Sequence, residues 1–135
     1  MEDQRCEDRV KDSFESTMDD LRQLWAAYCN GEEEVEDLGT FYEYGLCFDY
    51  VSADTFTDQK PGYFRYQLSY GGPSTEFRYY TDADLSLYKI EYWLLDWFDG
   101  AHVLVDGDDY KLMGEIFDMF KEIGSVEMEL EKATA

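Results

Sequence analysis

Apolar residues recur at spacings of three and four from about Glu7 to Asn30: Val10, Phe14, Met18, Leu21, Leu24, Trp25 and Tyr28. That spacing lines them up on one stripe of a helix, which turns once every 3.6 residues. Asn30-Gly31 supplies a C-terminal stop. Residues 1–9 are polar and are expected to fray. Glu32 to Asp37 is an acidic connector that ends near Gly39.

The period then shortens to two. In Phe41–Val51, Tyr42, Tyr44, Leu46, Phe48 and Tyr50 share one face and Glu43 and Asp49 the other, which predicts a strand. Val51 to Gly62 reads as a loop with Lys60-Pro61-Gly62 as its turn. In Tyr63–Tyr70, Phe64, Tyr66, Leu68 and Tyr70 alternate with Arg65, Gln67 and Ser69. Gly71-Gly72-Pro73-Ser74 turns the chain into Thr75–Tyr80, where Phe77 and Tyr79 alternate with Glu76 and Arg78. Together these predict a hairpin. Leu87–Phe98 is apolar on both faces from Tyr92 onward. Its aromatic content favours a central strand, with a helix as the competing reading. Asp99-Gly100 is expected as a two-residue hairpin turn into Ala101–Val105.

Asp106 to Asp109 is expected to cap a second helix and place negative charge at its N-terminus. Leu112, Met113, Ile116, Phe117, Phe120 and Ile123 form its buried side, and Gly124 ends it. Residues 125–135 are a short tail with a candidate edge strand at Val126–Leu130. The expected architecture is a single α+β domain over 1–135. It has an N-terminal helix, an antiparallel sheet of about four or five strands, and a C-terminal helix packed on one sheet face.

Charge changes this picture. The chain holds 32 Asp and Glu against 11 Lys and Arg, a net of -21 over 135 residues. A small domain needs a magnitude of only about 2–8 for solubility. Disordered acidic chains are poor in aromatics, and this one is 18% aromatic and 44% hydrophobic. It should therefore fold, with the acids on its surface. Self-repulsion on this scale opposes compaction, and its natural use is to attract something strongly basic.

The acids are unevenly placed. Residues 1–40 hold 13 acids and 4 bases, residues 41–80 hold 5 and 3, and residues 81–135 hold 14 and 4. On the first helix Asp8, Asp12, Glu15 and Asp19, with Asp20 beside them, lie opposite the apolar stripe. They form a ridge of one carboxylate per turn, about 5.4 Å apart along the axis. On the second helix Glu115, Asp118 and Glu122 form a similar ridge, broken at one end by Lys111. Glu32, Glu33, Glu34, Glu36 and Asp37 extend the negative surface through the connector, and Asp106, Asp108 and Asp109 do so before the second helix. Any one ridge reads as a solvated helix face. That reading explains mixed signs better than a single sign, and it does not explain the total. A compact domain of this length is about 37 Å across, and that length of duplex DNA carries about 22 phosphate charges.

The chain resembles the acidic DNA-mimic proteins of phages and plasmids, of anti-restriction or anti-CRISPR type. The resemblance lies in size and composition and is carried best by Glu2–Asp20 and Glu32–Asp37. It implies a small, cytoplasmic, non-enzymatic inhibitor, without a cofactor, whose carboxylates occupy the basic groove of a nucleic-acid-binding protein or complex. The Tyr-rich sheet departs from the more familiar helical mimics. The alternatives are an immunity or antitoxin protein that neutralises a basic toxin, and a salt-adapted acidic protein of other function.

Other chemistry finds less support. No run of about 18 apolar residues predicts a membrane span, and the N-terminus lacks a signal peptide's basic and apolar regions. Direct nucleic-acid binding through stacked sheet aromatics needs an electropositive surround, and Lys60, Arg65 and Arg78 are too few. A Tyr-rich protein–protein surface remains open, homodimerisation through the sheet or an edge strand being one version. Cys6, Cys29 and Cys47 fit no close-spaced metal pattern and read as inert thiols. His102, the one histidine, reads as structural, and a Cys-His nucleophile pair has no local support. Asp106-Gly107-Asp108-Asp109 resembles a calcium loop but has Phe117 where the closing Glu belongs. Asp99 with Asp109-Tyr110-Lys111 only loosely resembles a metal-dependent nuclease motif.

Overall fold

The computed structural model describes residues 5–32, 34–55, 59, 61–71, 73–96 and 99–134. Of the positions singled out above, residues 1–4, Glu33, Lys60, Gly72, Phe98 and residue 135 lie outside them. The elements run α1 (Cys6–Cys29), α2 (Phe41–Tyr44), β1 (Cys47–Val51), β2 (Tyr63–Ser69), β3 (Ser74–Thr81), β4 (Leu87–Asp96), β5 (Asp99–Leu104), α3 (Gly107–Glu122) and α4 (Ser125–Thr134). The fold class is α+β, as expected. The five strands pair antiparallel in chain order, β1-β2-β3-β4-β5.

Alternation assigns each strand residue to one of two sheet faces. Phe64, Phe77, Tyr79, Ile90 and Tyr92 point to the helix-covered face and are fully buried. Met18, Leu21 and Leu24 of α1 and Met113, Ile116 and Phe117 of α3 close over them. The Phe117 ring lies 4.8 Å from Tyr79 and 5.6 Å from Phe64. Polar groups fix α1 on the sheet: Ser13 and Thr17 meet the Tyr92 hydroxyl at 2.7 and 3.2 Å. At its C-terminus, Glu32 N–H donates to Ala27 and Gly31 N–H to Tyr28, while Gly31 takes a φ of +76°. This paired closure needs a left-handed residue that glycine adopts without a Cβ clash.

Several expectations are corrected. Residues 6–9 do not fray but form the first turn of α1: Cys6 is buried, and its N–H donates to Asp99 Oδ2 at 2.8 Å. Phe41–Val51 is not one strand. Thr40 and Glu43 form a reciprocal capping box, each backbone N–H bonded to the other's side chain at 3.2 Å, and that starts α2. Gly45 then passes so close to the Tyr66 ring that a side chain there would overlap it. Asp99-Gly100 is not the turn but the start of β5, with Asp99 opposite Asp96 and Gly100 opposite Leu95. Asp106 holds the N-cap position of α3 but makes no side-chain cap bond.

Residues Val126–Leu130 belong to helix α4, not an edge strand. A strand would put Met128 beside buried Val126, whereas Met128 is 49% exposed. Gly124, at φ +86°, ends α3 as expected, and the chain then turns into α4. Ile123, at the C-cap, is 55% exposed, and Met119 takes the buried position instead.

Candidate functional site

The outer side of α1 exposes Asp8, Asp12, Glu15 and Asp19. Asp12 and Glu15 have no ion pair among the described residues. Glu115, Asp118 and Glu122 are likewise exposed and unpaired on α3. Arg22 links α1 to the first turn of α3, reaching Asp19 at 3.0 Å and Asp109 at 2.8 Å. The Asp109 bond comes first among the causes that raise the Arg22 guanidinium pKa. One cation thus joins the end of the α1 ridge to the start of α3.

The remaining candidate residues divide. Glu32, Glu34, Glu36, Asp37, Asp106 and Asp108 are exposed. Asp20 and Asp109 are half-buried and have fixed partners: Tyr44 O–H donates to Asp20 at 2.8 Å, and Asp109 holds Arg22. Burial, then the Asp20 carboxylate, pushes the Tyr44 phenol well above its ordinary value of 10. Arg9, paired with Asp96 at 2.7 Å, and Asp99 beneath Cys6 pin the N-terminus of α1 to the β4–β5 end of the sheet. These four were not singled out as a set in the sequence, since they lie some ninety residues apart.

The open sheet face is different in character. Asp49, Glu76 and Glu91 project there with Arg65, Arg78 and Lys89, so acids and bases cancel. The whole net charge of -21 therefore falls on the rest of the chain. Arg65 grips Asp49 through two bonds of 2.9 and 2.6 Å. Arg78 bonds Glu76 at 2.7 Å, and its guanidinium lies 4.0 Å from the Trp93 ring and 4.6 Å from the Tyr63 ring. Glu91 accepts from Tyr80 O–H at 2.8 Å and Trp93 Nε1–H at 3.0 Å. Burial opposes the charged form of Glu91. Those two bonds and the nearby His102 and Lys89 outweigh it and hold the carboxyl below its ordinary value of 4.5. Tyr63 and Tyr80 pack with Val51 into a second small buried cluster on this face. Burial pushes the Tyr63 phenol up to about 12.

A cleft of about 410 Å³ opens where the end of α1 meets the connector and α2. Leu24, Tyr28 and Phe41 form its apolar floor, and Gly31, Glu32 and Val35 form a wall. Beyond Tyr42 a hollow of about 130 Å³ continues toward Leu46, Tyr66 and Phe120. The sequence offered a sign of this site in Thr40-x-x-Glu43, the capping-box spacing that sets α2 at its mouth.

Among the described residues, His102 and Cys47 stand far apart. His102, on β5, stacks on Trp93 at 4.4 Å. Cys47 lies on β1 at the opposite sheet edge, about 19 Å away by four strand spacings. Burial pushes the Cys6 and Cys47 thiols up, away from reactive thiolate. Asp99 and Asp109 flank opposite ends of β5, so the nuclease-like set is not assembled. Among the described residues no cluster of His, Cys, Asp or Glu is arranged to hold a metal ion. Among the same residues no helix is long and apolar enough to cross a membrane. No protein-family profile, curated protein or solved structure matches the chain.

Proposed function

We propose that this chain is a non-enzymatic inhibitor that presents nucleic-acid-like negative charge to the basic groove of a DNA- or RNA-binding host-defence protein. One observation carries the reading: Asp12 and Glu15 on α1 and Glu115, Asp118 and Glu122 on α3 stand exposed without a cation partner among the described residues, while Arg65, Arg78 and Lys89 are held by acids on the open sheet face. The molecule is thereby electrically two-sided. An incoming basic groove meets acids on the helical side, where few cations offset them. Long-range attraction speeds such an encounter and orients it.

The mechanism is occupation without chemistry. Carboxylates spaced along α1 take the places of successive phosphates, and the rigid sheet beneath keeps them in position. Pull-down from the native host, followed by competition with duplex DNA, tests this. Affinity for the captured partner should fall at least about tenfold between 50 and 200 mM salt, and duplex DNA should displace the protein. Binding indifferent to both salt and DNA would refute the mimicry.

A further inference from the structure

The cleft beside α2 differs from the ridges because it combines apolar depth with an acidic margin. Phe41 and Tyr42 line both the 410 Å³ cleft and the 130 Å³ hollow, so the two adjoin at these residues and together make a groove with Tyr42 at its middle. Tyr42 is 57% exposed and Leu46 is 59% exposed. The Tyr42 ring is nevertheless held: its hydroxyl lies 3.0 Å from that of Tyr28, and its ring packs edge-on against Tyr28 and Phe41. Tyr28 in turn stacks on Trp25 at 5.1 Å. A rigid, exposed tyrosine over an apolar floor is the kind of residue that dominates protein interfaces.

The margin has one sign. From Gln23 to Gln59 the chain contains no Lys, Arg or His. Glu32 lines the cleft itself, and the wall that contains it exposes Glu34, Glu36 and Asp37. A Val35–Gly39 bridge closes that wall into a fixed turn. An anionic ligand would be repelled here. So would a second copy of this chain, which carries -21. The volume is within the range of about 300–1,000 Å³ typical of sites that bury a small ligand or several side chains.

We infer that this groove seats a cationic amphipathic segment of the partner protein, with apolar side chains on either side of Tyr42 and flanking Lys or Arg at Glu32, Glu34 and Glu36. The inference rests on the reading of a basic partner above and adds an anchoring contact that nucleic acid itself lacks. Charge brings the partner near, and the groove selects a protein segment over a bare run of positive charge. Such a contact explains how an acidic surface can discriminate among basic proteins, since electrostatics alone is permissive.

Two synthetic 14-residue peptides of equal charge test it by calorimetry at 150 mM salt. One carries Arg and Lys with Leu at positions four apart; the other has Ser at the Leu positions. The Leu peptide should bind at least about tenfold tighter, a difference of 1.4 kcal/mol. Tyr42→Ala should abolish that difference while leaving the thermal melt intact. Glu32→Gln with Glu34→Gln should weaken the Leu peptide several-fold, and amide shifts should map to Gly31, Val35 and Tyr42. Equal affinity of the two peptides, or a preference that survives Tyr42→Ala, would overturn the groove. Mimicry is judged separately by competition with duplex DNA on the captured partner, so either idea can fail alone.

Discussion

Arg78 shows how a charged residue is accommodated in a sheet face without a covering helix. Its guanidinium is sandwiched between the Trp93 and Tyr63 rings, and its acid partner Glu76 is only 2% exposed. Arg78→Ala would leave that carboxylate buried and uncompensated, costing about 3–5 kcal/mol in urea unfolding. Replacing both partners together, with Arg78→Met and Glu76→Leu, should cost much less. Glu91 contributes a pH dependence of definite sign. Its carboxyl is held below 4.5 in the folded state. The stabilisation is therefore present above that pH and is lost as pH falls through the lower folded value. The stability difference between wild type and Glu91→Gln should shrink below about pH 4.5 in denaturant titrations at stepped pH. None of these partnerships was legible from residue types. Alternation placed Glu76, Arg78 and Glu91 on one side of their strands, but cross-strand register decides which acid meets which base.

At the scale of elements, α1 separates function from stability. Asp8, Asp12, Glu15 and Asp19 are like charges three and four residues apart, each pair costing roughly 0.2–0.5 kcal/mol. Asp12→Asn with Glu15→Gln should raise the urea midpoint slightly while weakening partner binding and flattening its salt dependence. A solvated face without a binding role would show only the first effect. The α3 core is tested by Phe117→Ala, which removes a ring packed on Phe64 and Tyr79 and should cost about 3–5 kcal/mol. The long elements were readable because a period sustained over many residues identifies its own face: α1, β2, β3, β4 and α3 appear where the pattern placed them. The short ones were misread. Tyr42, Tyr44 and Leu46 alternate like a strand, yet the Thr40–Glu43 capping box turns the first four residues into α2. In α4 a five-residue apolar pattern fits either period, and packing of Val126 against the core selects the helix.

The whole molecule is an acidic helical layer on one side of a sheet whose other face is charge-balanced. Burial of some twenty core side chains holds it together against repulsion. Added salt should therefore stabilise it: near-ultraviolet dichroism should show a folded protein at 10 mM salt, and Tm should rise by about 3–6 °C for each kcal/mol of repulsion screened by 500 mM. Unfolding at low salt would instead mark a salt-adapted protein. Periodicity and charge are local properties, so the sequence by itself determined the α+β class, the faces of the long elements and the excess of negative charge on the helices. Register, the pairing of Arg22 with Asp109, the neutral open face and the groove at Tyr42 depend on groups tens of residues apart. Only the tertiary structure could decide them, because an ion pair or a cleft forms where distant surfaces are brought within a few ångströms, and no local pattern encodes that distance.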